Sequence, residues 1–334
     1  MKKNHVVSGW SIDESSEQPL VQSMTTYSIA ACDPYTGESG VGVQSKYLAV
    51  GALVPWVKAG VGAAASQATT SSFLGQKALA LLEEGRKPED VLALVMAEDR
   101  EPSRRQLGLV AMSGESMAHT GADCLPYAGQ MTGPCFCCQG NCLAGPQVLQ
   151  AMAAAFRNAP GDLVQRLLAA LMAAENAGGD ARGRQSAALL VTSLRKDLYA
   201  GAQTMTDLRV DDHRDPVAEL DRLLQLHRLY YSANYTDRVY PFGPYLQATC
   251  RTWAGQLGIK LNEECKSGMD ETGQAGDGLN LKEALQDFAV RRLGREGGSR
   301  KKISAPSGWI SGAVVHELAL AYFRWEAERL RVKF

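Results

Sequence analysis

The chain has no uninterrupted apolar run of about 18 residues, the length a membrane-spanning helix requires, so no such helix is expected. It has no surplus of charge of either sign: 35 Lys and Arg stand against 36 Asp and Glu, a net charge of -1. That balance removes the electrostatic case for nucleic acid or an anionic membrane as partner. The first residues, MKKNHVVSGWSIDESSEQPLVQS, carry lysines but no apolar core segment, so they do not read as a secretory signal. A cytoplasmic location is the resulting expectation, with the eight cysteines kept reduced. Histidine is scarce, at five. A second ligand pair is also missing around the cysteine cluster. Cys135, Cys138 and Cys142 are spaced much as in zinc knuckles, but the nearest other thiol is Cys124 and the nearest imidazole His119, neither at a fitting distance. The cluster reads instead as small apolar residues of a buried strand, and neither metal nor cofactor is expected.

What the chain does have is an ordinary apolar content of 45% over 334 residues, enough for one large domain and a smaller appendage. Residues 1–24 read as a disordered leader, within which Met24 offers an alternative start. Residues 25–213 read as the main domain, and 214–334 as a linker helix with a small, mostly helical C-terminal region. In the main domain the periodicity switches repeatedly. Thr26 to Cys32 and Gly40 to Gln44 predict antiparallel strands around the turn Asp33-Pro34-Tyr35-Thr36-Gly37. Val50 to Trp56 and Val61 to Gln67 predict the next strand pair. Helices follow over Phe73 to Glu84 and from Pro88 to Glu98, the second opened by a proline in its first turn. Strands return at Leu107 to Met112, Ser116 to Thr120 and Cys135 to Gln139. Two more helices are expected, one reaching about Phe156 and one over Leu163 to Ala174, followed by a buried strand at Ser186 to Ser193.

Blocks of strands alternating with pairs of helices do not suit a doubly wound parallel sheet. Antiparallel sheets packed between helix pairs do, and they explain why the strands are almost uniformly apolar or small. The fold class expected is α+β, a four-layer αββα sandwich.

Several ordered motifs support a specific resemblance. They are Thr26-Tyr27-Ser28-Ile29, Gly42-Val43-Gln44-Ser45-Lys46, Val54-Pro55-Trp56, Ala59-Gly60-Val61-Gly62-Ala63, Gln106-Leu107-Gly108 and Ala118-His119-Thr120-Gly121. Gln139-Gly140-Asn141, Leu143-Ala144-Gly145, Gly178-Gly179-Asp180, Arg182-Gly183, Gln185-Ser186-Ala187-Ala188 and Asp207 to His213 continue the series. With these, residues 26 to about 230 resemble the DUF1028 family, which is placed among the N-terminal nucleophile (Ntn) hydrolases. The resemblance implies an Ntn-like αββα fold but brings no general assigned reaction; hydrolysis of a small-molecule amide at a non-peptide C-N bond is the function expected from the threonine-led opening strand. Neither names a substrate.

An N-terminal threonine is chemically useful because its free α-amine, with a pKa of about 7.7 to 8.0, can take the hydroxyl proton within the same residue. Thr25 becomes terminal if the chain starts at Met24 and loses it, whereas the resemblance aligns Thr26 with the family's early threonine. Strand alternation points the two side chains to opposite faces. Both also suit plain strand positions. Lys46 ends a strand of small and apolar residues, where an ammonium could activate a nucleophile or hold a substrate carboxylate. Ser45 beside it could pair with it as a Ser-Lys dyad that needs no processing. Substrate-binding candidates are Gln67, His119, Gln139, Asn141, Asp180 and Arg184. Most have a structural alternative: turn satisfaction for Gln139 and Asn141, a hydrogen-bonded structural place for His119, a loop salt bridge for Asp180 and Arg184.

A non-catalytic protein that binds a small metabolite, or an assembly subunit on the same scaffold, is the alternative of another class. The C-terminal segments Ala284 to Ala289 and Gly308-Trp309-Ile310 are similar to part of a peptidoglycan-binding region found in relatives. The insertion between them departs from that pattern, which argues against wall binding. An apolar stripe of Val314, Val315, Leu318, Leu320, Tyr322 and Phe323 suggests a homodimer.

Overall fold

The structure, a computed structural model, describes residues 25–195, 204–236, 238–259, 278–293, 305 and 309–330. The expected leader, the polar stretch 262–277 and the basic linker 295–302 lie outside these residues. No helix among the described residues is long and apolar enough to cross a membrane.

The chain runs through β1 (Thr26–Asp33), β2 (Glu38–Ser45), β3 (Pro55–Lys58), β4 (Gly62–Ala68), α1 (Ser72–Glu83) and α2 (Pro88–Glu98). It continues through β5 (Arg105–Ala111), β6 (Ser116–Thr120), β7 (Gly129–Gly133), β8 (Phe136–Gly140), α3 (Gln147–Asn158) and α4 (Leu163–Asn176). Then come β9 (Ser186–Thr192), β10 (Thr204–Val210) and α5 (Pro216–Tyr230). The C-terminal part contributes β11 (Val239–Pro241), α6 (Pro244–Gln256), α7 (Gly278–Leu293), β12 (Trp309–Ser311) and α8 (Gly312–Leu330). Six strands form one antiparallel sheet in the order β10-β9-β2-β1-β8-β7, and four form a second in the order β3-β4-β5-β6.

Period-two alternation decides what each strand touches. On β1, Tyr27, Ile29 and Ala31 pack with Leu149, Met152, Leu167 and Leu171 of α3 and α4, while Ala30 and Cys32 face Ala63, Ala65 and Val110 of the other sheet. On the four-stranded sheet, Ala64, Leu107 and Leu109 pack under Leu74, Ala78, Val91 and Val95 of α1 and α2. The residues between the sheets are mostly alanine, valine and cysteine, small enough for close approach. Larger side chains fill the helix-facing layers.

Some boundaries differ from the sequence expectation for identifiable reasons. Val50–Ala52 is a 3-10 turn, not a strand. Ala49 enters it with φ 52, and a side chain at Gly51 would meet Ala188 Cβ at 2.5 Å, so the chain must fold back before β3 begins at Pro55. The edge strand β7, GQMTG, is short, glycine-flanked and nowhere fully buried, with Met131 its one large apolar residue, which hides it from a hydropathy reading. Cys135 has φ 66, so β8 starts one residue later.

The C-terminal elements form their own core: Leu246, Cys250 and Trp253 of α6, Leu281 and Leu285 of α7, and Val314, Val315 and Leu318 of α8, against Met205 of β10 and Leu229 of α5. The apolar stripe from which a dimer was inferred is therefore largely occupied within the chain. A buried ion network ties this part to the sheets. Arg228 of α5 reaches Asp162 at 3.1 Å, and Arg238 bridges Asp162 at 3.7 Å and also pairs with Glu38 at the start of β2. Asp162 meanwhile caps α4 by accepting from Gln165 N at 3.0 Å.

Replacing Arg228 with alanine leaves Asp162 a buried carboxylate short of a partner. The expected loss is about 3 to 5 kcal/mol in urea unfolding; a loss below about 1 kcal/mol would show the network to be energetically idle. Acid sensitivity should come from His227, whose Nδ1 lies 2.9 Å from the Tyr235 hydroxyl and whose pKa burial lowers from 6.5 to about 4. A folded pKa below the unfolded one means stability is whole above about pH 6.5 and falls as pH drops toward 4, by up to about 3 kcal/mol. Unfolding temperatures measured across that window should decline in the parent and flatten in His227→Gln.

Candidate functional site

At the entrance of β1, two adjacent hydroxyls meet different partners, as alternation requires. Thr26 begins the strand opposite Ser45, the last residue of β2, and its Oγ1 donates to Ser45 Oγ at 3.1 Å. Ser45 Oγ in turn donates to the Thr25 carbonyl. Thr25 Oγ1 points elsewhere and donates to Asp180 Oδ2 at 2.7 Å. Thr25, Thr26 and Ser45 are all fully buried.

Asp180 arrives there through the glycine pair after α4. Gly178 and Gly179 take φ values of 112 and 51, a conformation that suits residues without a side chain, and Gly179 N bonds back to Ala174 O at 3.0 Å. The chain then bridges Leu143 to Asp180 beside the end of β8. Arg182 folds over the same carboxylate, its Nη2 lying 3.1 Å from Asp180 Oδ2 and its backbone N–H 2.9 Å from Oδ1. The guanidinium also donates to the Thr25 carbonyl at 3.3 Å and the Lys46 carbonyl at 3.2 Å. One peptide carbonyl, that of Thr25, is thus held by a hydroxyl and a cation.

Deeper between the sheets lies a chain of side-chain amides. Ser28 Oγ donates to Gln67 Oε1 at 2.6 Å, and Gln67 Nε2 donates to the Thr26 carbonyl at 3.1 Å and to Gln106 Oε1 at 2.7 Å. Asn141 Nδ2 shares that Gln106 acceptor at 3.0 Å, while Gln106 Nε2 reaches Thr120 Oγ1, Gly140 O and Gly129 O. Gln139 donates across the interface to Ala65 O at 2.8 Å. Ser28, Gln67, Gln106 and Asn141 are fully buried and Gln139 nearly so, so each of these bonds replaces a lost hydration shell. Gln139 Oε1 and Asn141 Oδ1 have no hydrogen-bond partner.

The candidates named from sequence therefore divide. Thr25, Thr26, Ser45, Gln67, Gln139, Asn141 and Asp180 converge on this end of the sandwich. Lys46 joins through its backbone N–H, 3.3 Å from Asp180 Oδ2. Its side chain is exposed, contrary to the apolar setting expected, because β2 ends at Ser45; Nζ lies 3.5 Å from the Arg184 carbonyl. Arg184 pairs outward with Asp215 at 3.0 Å and with Glu175 at 3.8 Å. His119 stands opposite Leu107 on the helix-facing side and bonds Pro102 O at 2.8 Å, away from the cluster. Its neighbour Thr120 faces inward instead. Glu175 receives the Tyr27 hydroxyl at 3.1 Å, and burial raises the carboxyl above its ordinary pKa despite the opposing pull of Arg184.

Sequence reasoning missed Ser28, Gln106, Thr120 and Arg182 as site members. Ser28 and Gln106 could have been found as lone polar residues on the inward phase of otherwise apolar strands. Among the described residues, no group of three or more His, Cys, Asp or Glu is placed to hold a metal ion. The Cys135 to Cys142 segment instead buries Cys137 and Cys138.

Fold and site together define an α+β protein of packed antiparallel sheets whose first strand opens on a buried hydroxyl cluster. A family model, the family of unknown function DUF1028, matches residues 26–220, and the chain belongs to that family. Among solved structures it is similar to protein SPO2555 from Silicibacter pomeroyi, itself assigned to DUF1028, at 35% identity and a TM-score of 0.56. The similarity covers 61% of this chain and 89% of that one. No curated protein matches the chain.

Gln106→Leu removes the shared acceptor of Gln67 and Asn141 and the donor to three oxygens. Unsatisfied buried groups cost about 1 to 3 kcal/mol each, so a loss of about 2 to 4 kcal/mol in urea unfolding is expected. An unchanged midpoint would show that the amides are incidental to stability.

Proposed function

We propose that the protein is an Ntn-type hydrolase of a small-molecule amide, with Thr26 as nucleophile, and that its stacked layers are the αββα sandwich of that superfamily. The observation that carries this reading is the convergence of Thr26 Oγ1, Ser45 Oγ and Arg182 on one peptide unit, the Thr25 carbonyl and the nitrogen it precedes. Release of the chain before Thr26 would expose an α-amine beside its own hydroxyl. The amine takes the hydroxyl proton and Oγ1 attacks the substrate carbonyl; the C–N bond breaks as the leaving amine takes up that proton, and water then hydrolyses the Thr26 ester to release the acid and restore the hydroxyl. The groups that now hold the Thr25 carbonyl, a hydroxyl and a guanidinium, are suited to an oxyanion or a substrate carboxylate in the same place. Lys46, exposed at the rim and outside the ion pairs of Arg182 and Arg184, supplies a cation for an acidic substrate group.

A dyad of Ser45 with Lys46 has less support, because adjacent strand-end residues diverge and the Lys46 ammonium lies toward Arg184 O instead. Thr25 as nucleophile keeps one specific observation in its favour, the 2.7 Å bond to Asp180, and it requires a chain that begins at residue 25.

Intact mass and N-terminal sequencing of the purified protein decide where the mature chain begins; a start at Thr26 is expected. A panel of small N-acyl amides and amino-acid amides, with and without a carboxylate, then provides the assay. Thr26→Ala should lower turnover at least about 10³-fold, while Thr26→Ser retains it. Turnover by a chain that keeps any residue ahead of Thr26 would overturn the mechanism with Thr26 as nucleophile.

A further inference from the structure

The Cys135 to Cys142 segment puts a thiol pair at the other end of β1, far from the hydroxyl cluster. Cys32 and Cys135 stand directly opposite each other just beyond the register pair Ala31 and Phe136. Cys32 N donates to Cys135 O at 3.0 Å. Antiparallel residues that exchange both N–H···O bonds have Cα atoms about 5.5 Å apart, inside the range of about 4.4 to 6.8 Å that a disulfide spans; here the Cys32 N–H bond is made, while Cys135 N turns to Gly114 O. Cys32 belongs to the apolar cluster between the sheets, and Cys135 packs against that same cluster.

Cys135 owes its position to backbone geometry. With φ 66 it leaves the strand phase, and its N–H bonds Gly114 O at 2.8 Å. A side chain at Gly114 would come within 3.0 Å of Cys135 Sγ, so the glycine makes room for the thiol. Cys32 Sγ donates to Ala111 O at 3.2 Å on the facing sheet. The pair thus sits where β1, β8 and the β5-β6 turn meet.

We propose that Cys32 and Cys135 are a reversible redox pair that closes to a cross-strand disulfide under a hydroperoxide. Cys135 is partly exposed and Cys32 is buried, so the oxidant meets Cys135 first. The Cys135 thiolate attacks one peroxide oxygen, the O–O bond breaks, and Cys135 becomes a sulfenic acid as hydroxide leaves and takes a proton. Cys32 then loses its proton, its sulfur attacks the Cys135 sulfur, the S–O bond breaks and water departs. Two thiols are oxidised by two electrons and one hydrogen peroxide is reduced to two waters. The second step is the slow one, because burial pushes the Cys32 thiol up to about 12. A small dithiol reverses the reaction.

Full-length protein treated with hydrogen peroxide, then unfolded and alkylated, should expose six of its eight thiols and weigh 2 Da less before alkylation. Trypsin leaves Cys135 on one peptide with Cys124, Cys137, Cys138 and Cys142, so fragmentation within the cross-linked peptide must place the bond. The bond is expected at Cys32 and Cys135, to survive in Cys137→Ser and to vanish in Cys135→Ser. Oxidation should raise the parent's unfolding temperature by on the order of 10 °C, because the bond closes a long chain loop, and a dithiol should restore the original value. A bond mapped to Cys137, or eight alkylated thiols after treatment, overturns the proposal, and so does Cys135 held as a sulfinic acid with Cys32 free. The mapping on the parent chain needs no variant to fold.

Discussion

Everything near the hydroxyl cluster depends on how closely two sheets can approach. Ala30, Ala63, Ala65, Ala188 and Val43 leave little between them but van der Waals contact, so the interface is thin and dry along most of its length. At one end polar side chains replace the alanines, and there the same closeness becomes a constraint of another kind. A buried serine or glutamine cannot turn to water, so Ser28, Gln67, Gln106 and Asn141 have to satisfy one another. Their mutual bonds run through the Thr26 carbonyl and so fix the first residue of β1 from behind.

The other half of the site is held from the front by charge. Asp180 is buried, and its carboxylate is balanced by Arg182 from two residues away and by the Thr25 hydroxyl and the Lys46 N–H. A short loop that carries both members of an ion pair moves as a unit, so carbonyl, hydroxyl and guanidinium keep one geometry. This is the preorganisation that electrostatic catalysis needs, because donors aimed in advance cost no rearrangement when charge develops.

Much of this was legible in the chain. The turn at Asp33, the proline-opened α2 and the helices α4 and α5 follow from punctuation and periodicity, which are local signals. Gln67, Gln139, Asn141 and Asp180 stood out because glycines and strand ends surround them. What stayed hidden was tertiary. The Val50 segment is apolar enough for a strand, yet it approaches Ala188 so closely at Gly51 that a side chain there would collide. Lys46 follows a buried strand in sequence but leaves it in space. Arg182 comes back over β1 through the Gly178-Gly179 turn, and no spacing rule encodes that return. His119 drew attention for its chemistry, while its neighbour Thr120 has the inward phase.

The two ends of β1 carry opposite kinds of chemistry, and the strand's own alternation explains how. Thr26, Ser28, Ala30 and Cys32 all point between the sheets, so a single phase presents a hydroxyl at one end and a thiol at the other. The intervening Tyr27, Ile29 and Ala31 anchor the strand in the helix layer and prevent slippage, since a shift of one residue would bury Tyr27 where only alanine fits. Register is therefore the quantity that both ends share. Any change that loosens the pairing of β1 with β8 acts on Thr26 through Asn141 N, which holds the Thr26 carbonyl at 3.0 Å, and on Cys32 through the Cys135 carbonyl at the same distance. A covalent link at the thiol end would remove the slippage mode outright and hold the hydroxyl end in the one register in which Thr26 meets Ser45.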